Sequence, residues 1–197
     1  MPVSLKAVAL PDFTPLGEQP DIPAATYDAR AKDAYRRAGV DWLVVYADRE
    51  HFGNMAFLSG FEPRFEEAFL LLGANGRRLL ITGNESESYA AIARLPGLTV
   101  LRSQTLSLMA QDRTQQPRLV DRLRDAGIKA GDSVGFVGWK YLEPEEDEEH
   151  SSGFFVPAAY VQMFRRIVGV EFASDLHALA RKNVKNYRNS NQACFQI

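Results

Sequence analysis

Residues 46–72 read YADREHFGNMAFLSGFEPRFEEAFLLL, and this stretch decides the fold. Its pattern predicts, in order, the end of a buried strand, the charged residues Asp48–His51, a short helix, a loop that carries Arg64 and a second apolar strand. Asp48 is predicted to N-cap the helix, because a carboxylate there accepts free backbone N–H groups. Gly60 is predicted to end it, because glycine adopts the left-handed backbone at low cost. Charged and aromatic groups at the joints between elements make this stretch the first place to look for a site.

The segments around this stretch alternate between strand and helix patterns. Helices are predicted to begin at Pro23, Asn84, Pro117 and Pro157, where proline or a capping-box pattern marks a first turn. Strands are predicted at Trp42–Tyr46, Ala68–Leu72, Leu79–Thr82, Leu98–Leu101, Val134–Val137 and Val170–Ala173. The segment Gly73-Ala74-Asn75-Gly76 predicts a hairpin, and hence an antiparallel pair. We therefore expect an α/β domain: a mixed, mainly five- to six-stranded sheet with helices on both faces.

Composition narrows the class of protein. The chain has 197 residues, a net charge of −2 and a single cysteine, Cys194. This charge gives no reason to expect nucleic acid or a membrane as a partner. One cysteine cannot form an internal disulfide and suits a reducing compartment. With no secretion signal and no apolar run near the ~20 residues that cross a bilayer, the sequence predicts a cytoplasmic protein.

The chain divides into three parts by composition. Residues 1–23 are rich in proline and are predicted to form an N-terminal arm. Residues 24–180 hold the periodic segments and are predicted to form the domain. Residues 181–197 are rich in asparagine and lack apolar periodicity, which indicates a linker, a frayed helix or a divergent tail.

Most groups capable of chemistry are better explained without it. The acidic run Glu143–His150 lacks the alternating spacing of a calcium loop and is predicted to be a solvated loop. His51, His150 and His177 are scattered, so no metal site follows from their spacing. Cys194 lies in the tail without a basic partner, which argues against a nucleophile. We predict no catalytic residue and no metal ligand in this chain.

The charged groups of residues 46–72 leave two explanations open. Asp48, Glu50 and His51 form either an acid/base cluster or a helix cap, and consecutive positions favour the cap. Glu66 and Glu67 are adjacent and should face opposite sides of a strand, which argues against a cooperating pair. Arg64, in a loop stiffened by Pro63, either presents its guanidinium to a ligand carboxylate, or is solvated or paired with Glu62 or Glu66.

Three segments resemble the N-terminal domain of the creatinase, prolidase and aminopeptidase P family. They are VDWLVVYADREHFGNMAFLSGFEPRFEEAFLLL, GRRLLITGNESESYA and SVGFVGWKYL. The resemblance covers residues 26–179. Its most specific part is Asn54 to Arg64, with the pattern Asn-x-x-aromatic/aliphatic-x-x-Gly-Phe.

The resemblance implies an auxiliary role. The family's metal centre, often of two divalent ions, uses two Asp, one His and two Glu of a C-terminal "pita-bread" domain, and no motif for those ligands occurs in these 197 residues. The resemblance therefore implies no cofactor in this chain, a homodimer, and a catalytic domain that is missing or separately encoded. By position, Phe61, Arg64 and Phe65 would contact substrate in that domain's pocket, with His51 and Asn54 in support.

Three functions follow from these observations. The first is a non-catalytic domain of a pita-bread hydrolase. The second is a free-standing module that binds a small carboxylate or a peptide through Arg64. The third is an autonomous hydrolase centred on Asp48, Glu50 and His51.

Overall fold

The computed structural model describes residues 21–114, 117–140, 154–169 and, as backbone, 184–186. The helices are α1 (Ala24–Ala38), α2 (Gly53–Ser59), α3 (Asn84–Glu87), α4 (Leu119–Asp125) and α5 (Ala158–Val168). The strands are β1 (Trp42–Ala47), β2 (Ala68–Gly73), β3 (Arg77–Thr82), β4 (Thr99–Arg102), β5 (Val134–Val137) and β6 (Val184–Asn186). Short 3-10 turns occupy Ala74–Gly76, Tyr89–Ile92 and Gln104–Leu106. No helix of the described residues has the length and apolar character that a membrane span requires.

The strands form one mixed sheet of order β4-β3-β2-β1-β5-β6. The central pairs β1–β2 and β2–β3 are antiparallel. The pairs β1–β5, β3–β4 and β5–β6 are parallel. The mixed sheet of five to six strands expected from the sequence is confirmed, and the predicted hairpin supplies one of its antiparallel pairs.

The sheet separates two apolar cores because successive strand residues point to opposite faces. Leu43, Val45 and Ala47 of β1 pack with residues of α1 and α2. Val44 and Tyr46 pack on the other face with residues of α4 and α5. The predicted placement of helices on both faces is thus confirmed. All six residues of β1 are buried, as are all six of β2, which explains why both read as continuous apolar runs.

The predicted helix starts and stops are partly right. α1 follows Pro23 and ends at Gly39, and α2 ends at Gly60, where both glycines adopt left-handed backbone. The prediction that Asp48 N-caps α2 is wrong, because Phe52 is the residue before this helix and no side chain caps it. The capping box predicted at Asn84 is also wrong: the residue before α3 is Gly83, and the Asn84 side chain is hydrogen-bonded to Ser107 instead.

Several predictions fall outside the described residues. These are the arm up to residue 20, the acidic run Glu143–His150, the strand Val170–Ala173, His177 and Cys194. β6 lies in the tail, where the sequence pattern indicates a linker or frayed helix and no strand. It runs parallel to β5, with Val184 opposite Val134.

Candidate functional site

The residues singled out in the sequence gather at one edge of the sheet. β1, β3, β4 and β5 all end at this edge, and β2 begins there. Open α/β sheets commonly bind ligands beyond the carboxyl ends of their parallel strands. The joints at residues 48–54, 61–67 and 83–89 therefore share the part of the fold where a site is expected.

The motif from Asn54 to Phe61 is explained by packing. The Asn54 side chain donates to the Gly138 carbonyl at 2.8 Å and ties α2 to the end of β5. The Arg30 guanidinium carbon lies over the Phe57 ring, 4.1 Å from the centre of that ring. Gly60 has a φ of 72°, and a Cβ there would lie 3.2 Å from the Tyr27 ring. Phe61 is fully buried. The motif builds a rigid base for the loop that follows.

Arg64 lies in the loop after this motif, and its charged group is exposed to solvent. Its side chain is 57% exposed. Its Nε donates to the Tyr89 hydroxyl at 3.1 Å, and its guanidinium lies over the Tyr89 ring at 5.2 Å. The hydrogen bond to Tyr89 and the electrostatic interaction with that residue, followed by the charge of Glu62, raise the pKa of Arg64 above its usual value. The only carboxylate contact described for Arg64 is Glu62 Oε1, 3.5 Å from Nε, so the fork is not engaged by a bidentate partner within the described chain.

The two phenylalanines around Arg64 have different environments. Phe61 is fully buried and packs toward Tyr89, with ring centres 6.1 Å apart. Phe65 is 59% exposed. Phe61 therefore anchors the loop, whereas Phe65 offers an apolar surface beside it.

Glu66 and Glu67 lie in the loop before β2, and their carboxylates have different partners. The Glu66 carboxylate accepts the backbone N–H groups of Glu85 and Ser86, at 3.1 and 2.9 Å. Glu67 instead accepts the hydroxyl of Tyr46 at 2.6 Å and that of Tyr160. Neither acid pairs with Arg64, and each has a structural partner of its own.

Asp48 and His51 come together, although consecutive positions at a helix start were expected to diverge. Asp48 Oδ1 lies 2.9 Å from His51 Nδ1 and also accepts the backbone N–H groups of Glu50 and His51. The His51 ring stacks on Trp139, with ring centres 4.9 Å apart. The Glu50 side chain, 77% exposed, contacts Arg49 at 3.6 Å and does not join this pair. The loop turns back on Asp48, so its carboxylate caps the turn before α2 and not α2 itself.

A surface groove of about 360 Å³ runs along this edge of the sheet. Its lining combines acids and arginines with exposed apolar side chains. The residues are Asp48, Arg49, Glu50, Phe65, Glu66, Glu67, Leu106, Ser107, Leu108, Met109 and Arg113. No group of three or more His, Cys, Asp or Glu able to hold a metal ion occurs in the part of the chain that the structure describes.

Sequence reasoning missed Tyr89 and Tyr160. Tyr89 lies in a 3-10 turn 25 residues from Arg64, and Tyr160 lies 93 residues from Glu67. From the sequence, each could be assigned only as an aromatic residue of a predicted helix. A tyrosine in either position carries no local signal that its hydroxyl meets a particular partner.

Comparison with known proteins gives structural neighbours only. No family model matches the chain. No curated protein matches it either. Similar solved structures include an aminopeptidase P from Streptococcus thermophilus, at 16% identity and a TM-score of 0.48, over 87% of this chain and 97% of that one. An Xaa-Pro dipeptidase from Bacillus anthracis has 14% identity and a TM-score of 0.43, over 81% of this chain and 35% of that one. A prolidase from Pyrococcus furiosus has 10% identity and a TM-score of 0.49, over 84% and 36%.

These names are those of the family that residues 26–179 resemble. The chain spans nearly all of the first neighbour but about a third of the other two. At such identities and TM-scores, the activities of these proteins do not transfer to this chain by similarity.

Proposed function

We propose that this chain is a non-catalytic N-terminal domain of a creatinase- or Xaa-Pro peptidase-like hydrolase. It contributes dimer contacts and a substrate-pocket loop to a pita-bread catalytic domain outside these 197 residues. The motif from Asn54 to Arg64 supports the family, and no motif for the five metal ligands occurs in the sequence. The cofactor, where the parent enzyme has one, would be held by that other domain.

The single observation that carries the proposal is the exposure of the Arg64 guanidinium, which is 57% exposed and whose one described carboxylate contact is the 3.5 Å ion pair with Glu62. A structural arginine satisfies its donors internally, as Arg78 does: its side chain is 9% exposed and donates to the Pro96 carbonyl and to Asp28. Arg64 uses Nε for Tyr89 and for the ion pair with Glu62, and no hydrogen bond from its two terminal nitrogens to a carboxylate is described. An arginine held in this way suits the carboxylate of a small ligand or of a peptide C-terminus.

Exposed apolar side chains support the role in dimer contacts. Phe65, Leu108 and Met109 line the same groove, and Met109 is 83% exposed. Apolar groups grouped on a surface commonly mark an interaction site. We assign this groove to contacts with a second copy of the chain or with the catalytic domain.

The proposal is tested on the protein encoded by the reading frame continued beyond Ile197. We expect that frame to encode the two Asp, one His and two Glu of a pita-bread centre. In that longer protein, Arg64→Ala should lower kcat/KM for an Xaa-Pro dipeptide or for creatine by roughly 10- to 150-fold, mainly through KM, as expected for losing a charge-assisted hydrogen bond. Arg36→Ala, at an exposed arginine of α1 paired with Asp33, is the matched control and should change little. Equal effects of the two substitutions would contradict the proposal.

A free-standing binding module is the alternative that the same arginine favours. In that case the 197-residue chain should bind a dipeptide carboxylate alone, and Arg64→Ala should abolish binding. Calorimetric titration of the isolated chain with Gly-Pro separates the two functions. Tight binding together with a reading frame that stops at Ile197 supports the module, and a downstream catalytic domain supports the auxiliary role.

A further inference from the structure

The Tyr89 side chain contacts Arg64 in two ways. Its hydroxyl accepts the Nε–H of Arg64 at 3.1 Å, and its ring lies 5.2 Å below the guanidinium carbon. The Tyr89 ring also contacts the core, because it packs toward the fully buried Phe61. One side chain thus contacts Arg64 both by a hydrogen bond and by a cation–π interaction.

Glu66 holds the backbone that carries Tyr89. It lies two residues after Arg64, and it is only 4% exposed. Its carboxylate accepts the N–H groups of Glu85 and Ser86, which are free donors in the first turn of α3. The fit is close: a Cβ on Gly83 would lie 2.2 Å from Glu66 Oε1. An acid from the arginine loop therefore supplies the cap that α3 does not find in its own sequence.

The far end of the same segment is fastened as well. The backbone N–H groups of Arg94 and Leu95 donate to the Ser59 carbonyl, at 2.8 and 3.2 Å. Ser59 is the last residue of α2, immediately before the loop that carries Arg64. Because both ends of residues 85–95 are hydrogen-bonded to residues 59–66, Tyr89 has a set position relative to that loop.

We propose that Tyr89 and Glu66 are positioning residues for Arg64. Tyr89 occupies Nε, so a bidentate ligand cannot use the Nε edge of the guanidinium and must approach the edge formed by the two terminal nitrogens. Glu66 keeps Tyr89 in place by holding the start of α3. The inference rests on the proposed function only in taking Arg64 as the group that meets the ligand.

The positioning is measured by NMR on the 197-residue chain, without any ligand. The Arg64 Nε–H resonance is assigned by its absence from Arg64→Lys. In Tyr89→Phe, which keeps the ring and loses the hydroxyl, exchange of this proton with water should accelerate about five- to tenfold, as expected for the loss of one hydrogen bond. Glu66→Gln should accelerate it as well. Glu87→Gln, the same substitution at an acid of α3 whose carboxylate meets Arg102, should not.

The outcomes separate this inference from the proposed function. Unchanged Arg64 exchange in Tyr89→Phe overturns the positioning role of Tyr89, and equal behaviour of Glu66→Gln and Glu87→Gln overturns that of Glu66. Should Glu66→Gln fail to fold, Tyr89→Phe still decides the arrangement. In the longer protein, both variants should raise KM for a dipeptide carboxylate with little change in kcat. If the exchange result holds but Arg64→Ala leaves kcat/KM of the longer protein unchanged for every substrate tested, the proposed function fails. The inference that Tyr89 and Glu66 position Arg64 then still stands.

Discussion

The Tyr46 hydroxyl lies 2.6 Å from Glu67 Oε1 and donates a hydrogen bond to it. The other oxygen of the same carboxylate accepts the hydroxyl of Tyr160. The acid immediately before β2 thereby joins β1 to α5, beside the loop that carries Arg64. Burial, followed by the hydrogen bond to Glu67, raises the pKa of Tyr46 and of Tyr160 well above the usual range of a phenol.

These two phenols should make the fold sensitive to alkaline pH. A folded-state pKa above the unfolded value of about 10 gives a contribution to stability that is complete below pH 10 and is lost as pH rises through the folded-state pKa. We expect the free energy of unfolding to fall above about pH 10, and two phenols to titrate only as the protein unfolds. Phenolate absorbance in wild type, Tyr46→Phe and Tyr160→Phe checks this, with each variant losing one late phenol. Ionisation of all tyrosines together near pH 10 in the folded protein would contradict it.

Gly83→Ala should destabilise the domain. The added Cβ would meet the Glu66 carboxylate at 2.2 Å, so that carboxylate must move away from the N–H groups of Glu85 and Ser86. Leaving buried donors without a partner costs about 1–3 kcal/mol. Urea unfolding measures the loss. Gly53→Ala is the control, because a Cβ there meets no atom within 4 Å and should leave stability unchanged or slightly raised.

The sequence could predict the elements because their signals are local. Apolar runs such as Trp42 to Tyr46 and glycines such as Gly60 act within a few residues, and both lie where expected. The N-terminal caps could not be predicted correctly, because the acid that caps α3 is Glu66, 19 and 20 residues from the N–H groups it accepts. A local rule chose Asn84 for that role since it sees only neighbours in sequence.

The candidate site was predictable to the same extent. The exposure of Arg64 follows from a charged residue in a proline-stiffened loop, and the structure shows it in solvent. The pairing of Asp48 with His51 depends on how the loop before α2 turns, and the contact with Tyr89 depends on where α3 is held. Both are tertiary facts that neither spacing nor composition encodes.

The isolated chain should bind no stoichiometric transition metal and hydrolyse no Xaa-Pro dipeptide or creatine. The reason is the absence from its sequence of the five-ligand motif, together with the lack of a three-ligand group among the described residues. Elemental analysis after dialysis checks the first expectation. Assays with and without Mn²⁺, Co²⁺ or Zn²⁺ check the second. Activity that survives purification and is abolished by a chelator would instead favour a hydrolase with a site of its own, such as the Asp48–His51 pair.

We expect the chain to form a homodimer through the groove that contains Phe65 and Met109. Both side chains are mostly exposed, and burying them in a second copy would remove apolar surface from water. Met109→Asp should place a charge in that contact and shift the equilibrium toward monomer in analytical ultracentrifugation. Ile92→Asp, at an exposed apolar residue that does not line the groove, is the matched control. A wild-type chain that stays monomeric at all concentrations would rule the contact out.

Replacement by alanine should affect stability much less at Arg64 than at Arg78. Arg64→Ala removes a 57% exposed side chain from the surface and should change the free energy of unfolding by no more than roughly 0.5 kcal/mol. Arg78→Ala takes a charge-assisted donor from Asp28 and from the Pro96 carbonyl, and should cost about 2 kcal/mol or more. Thermal and urea unfolding of the two variants measure the difference directly. A cost at Arg64 as large as that at Arg78 would make it part of the scaffold, and its fork would then serve the fold and no ligand.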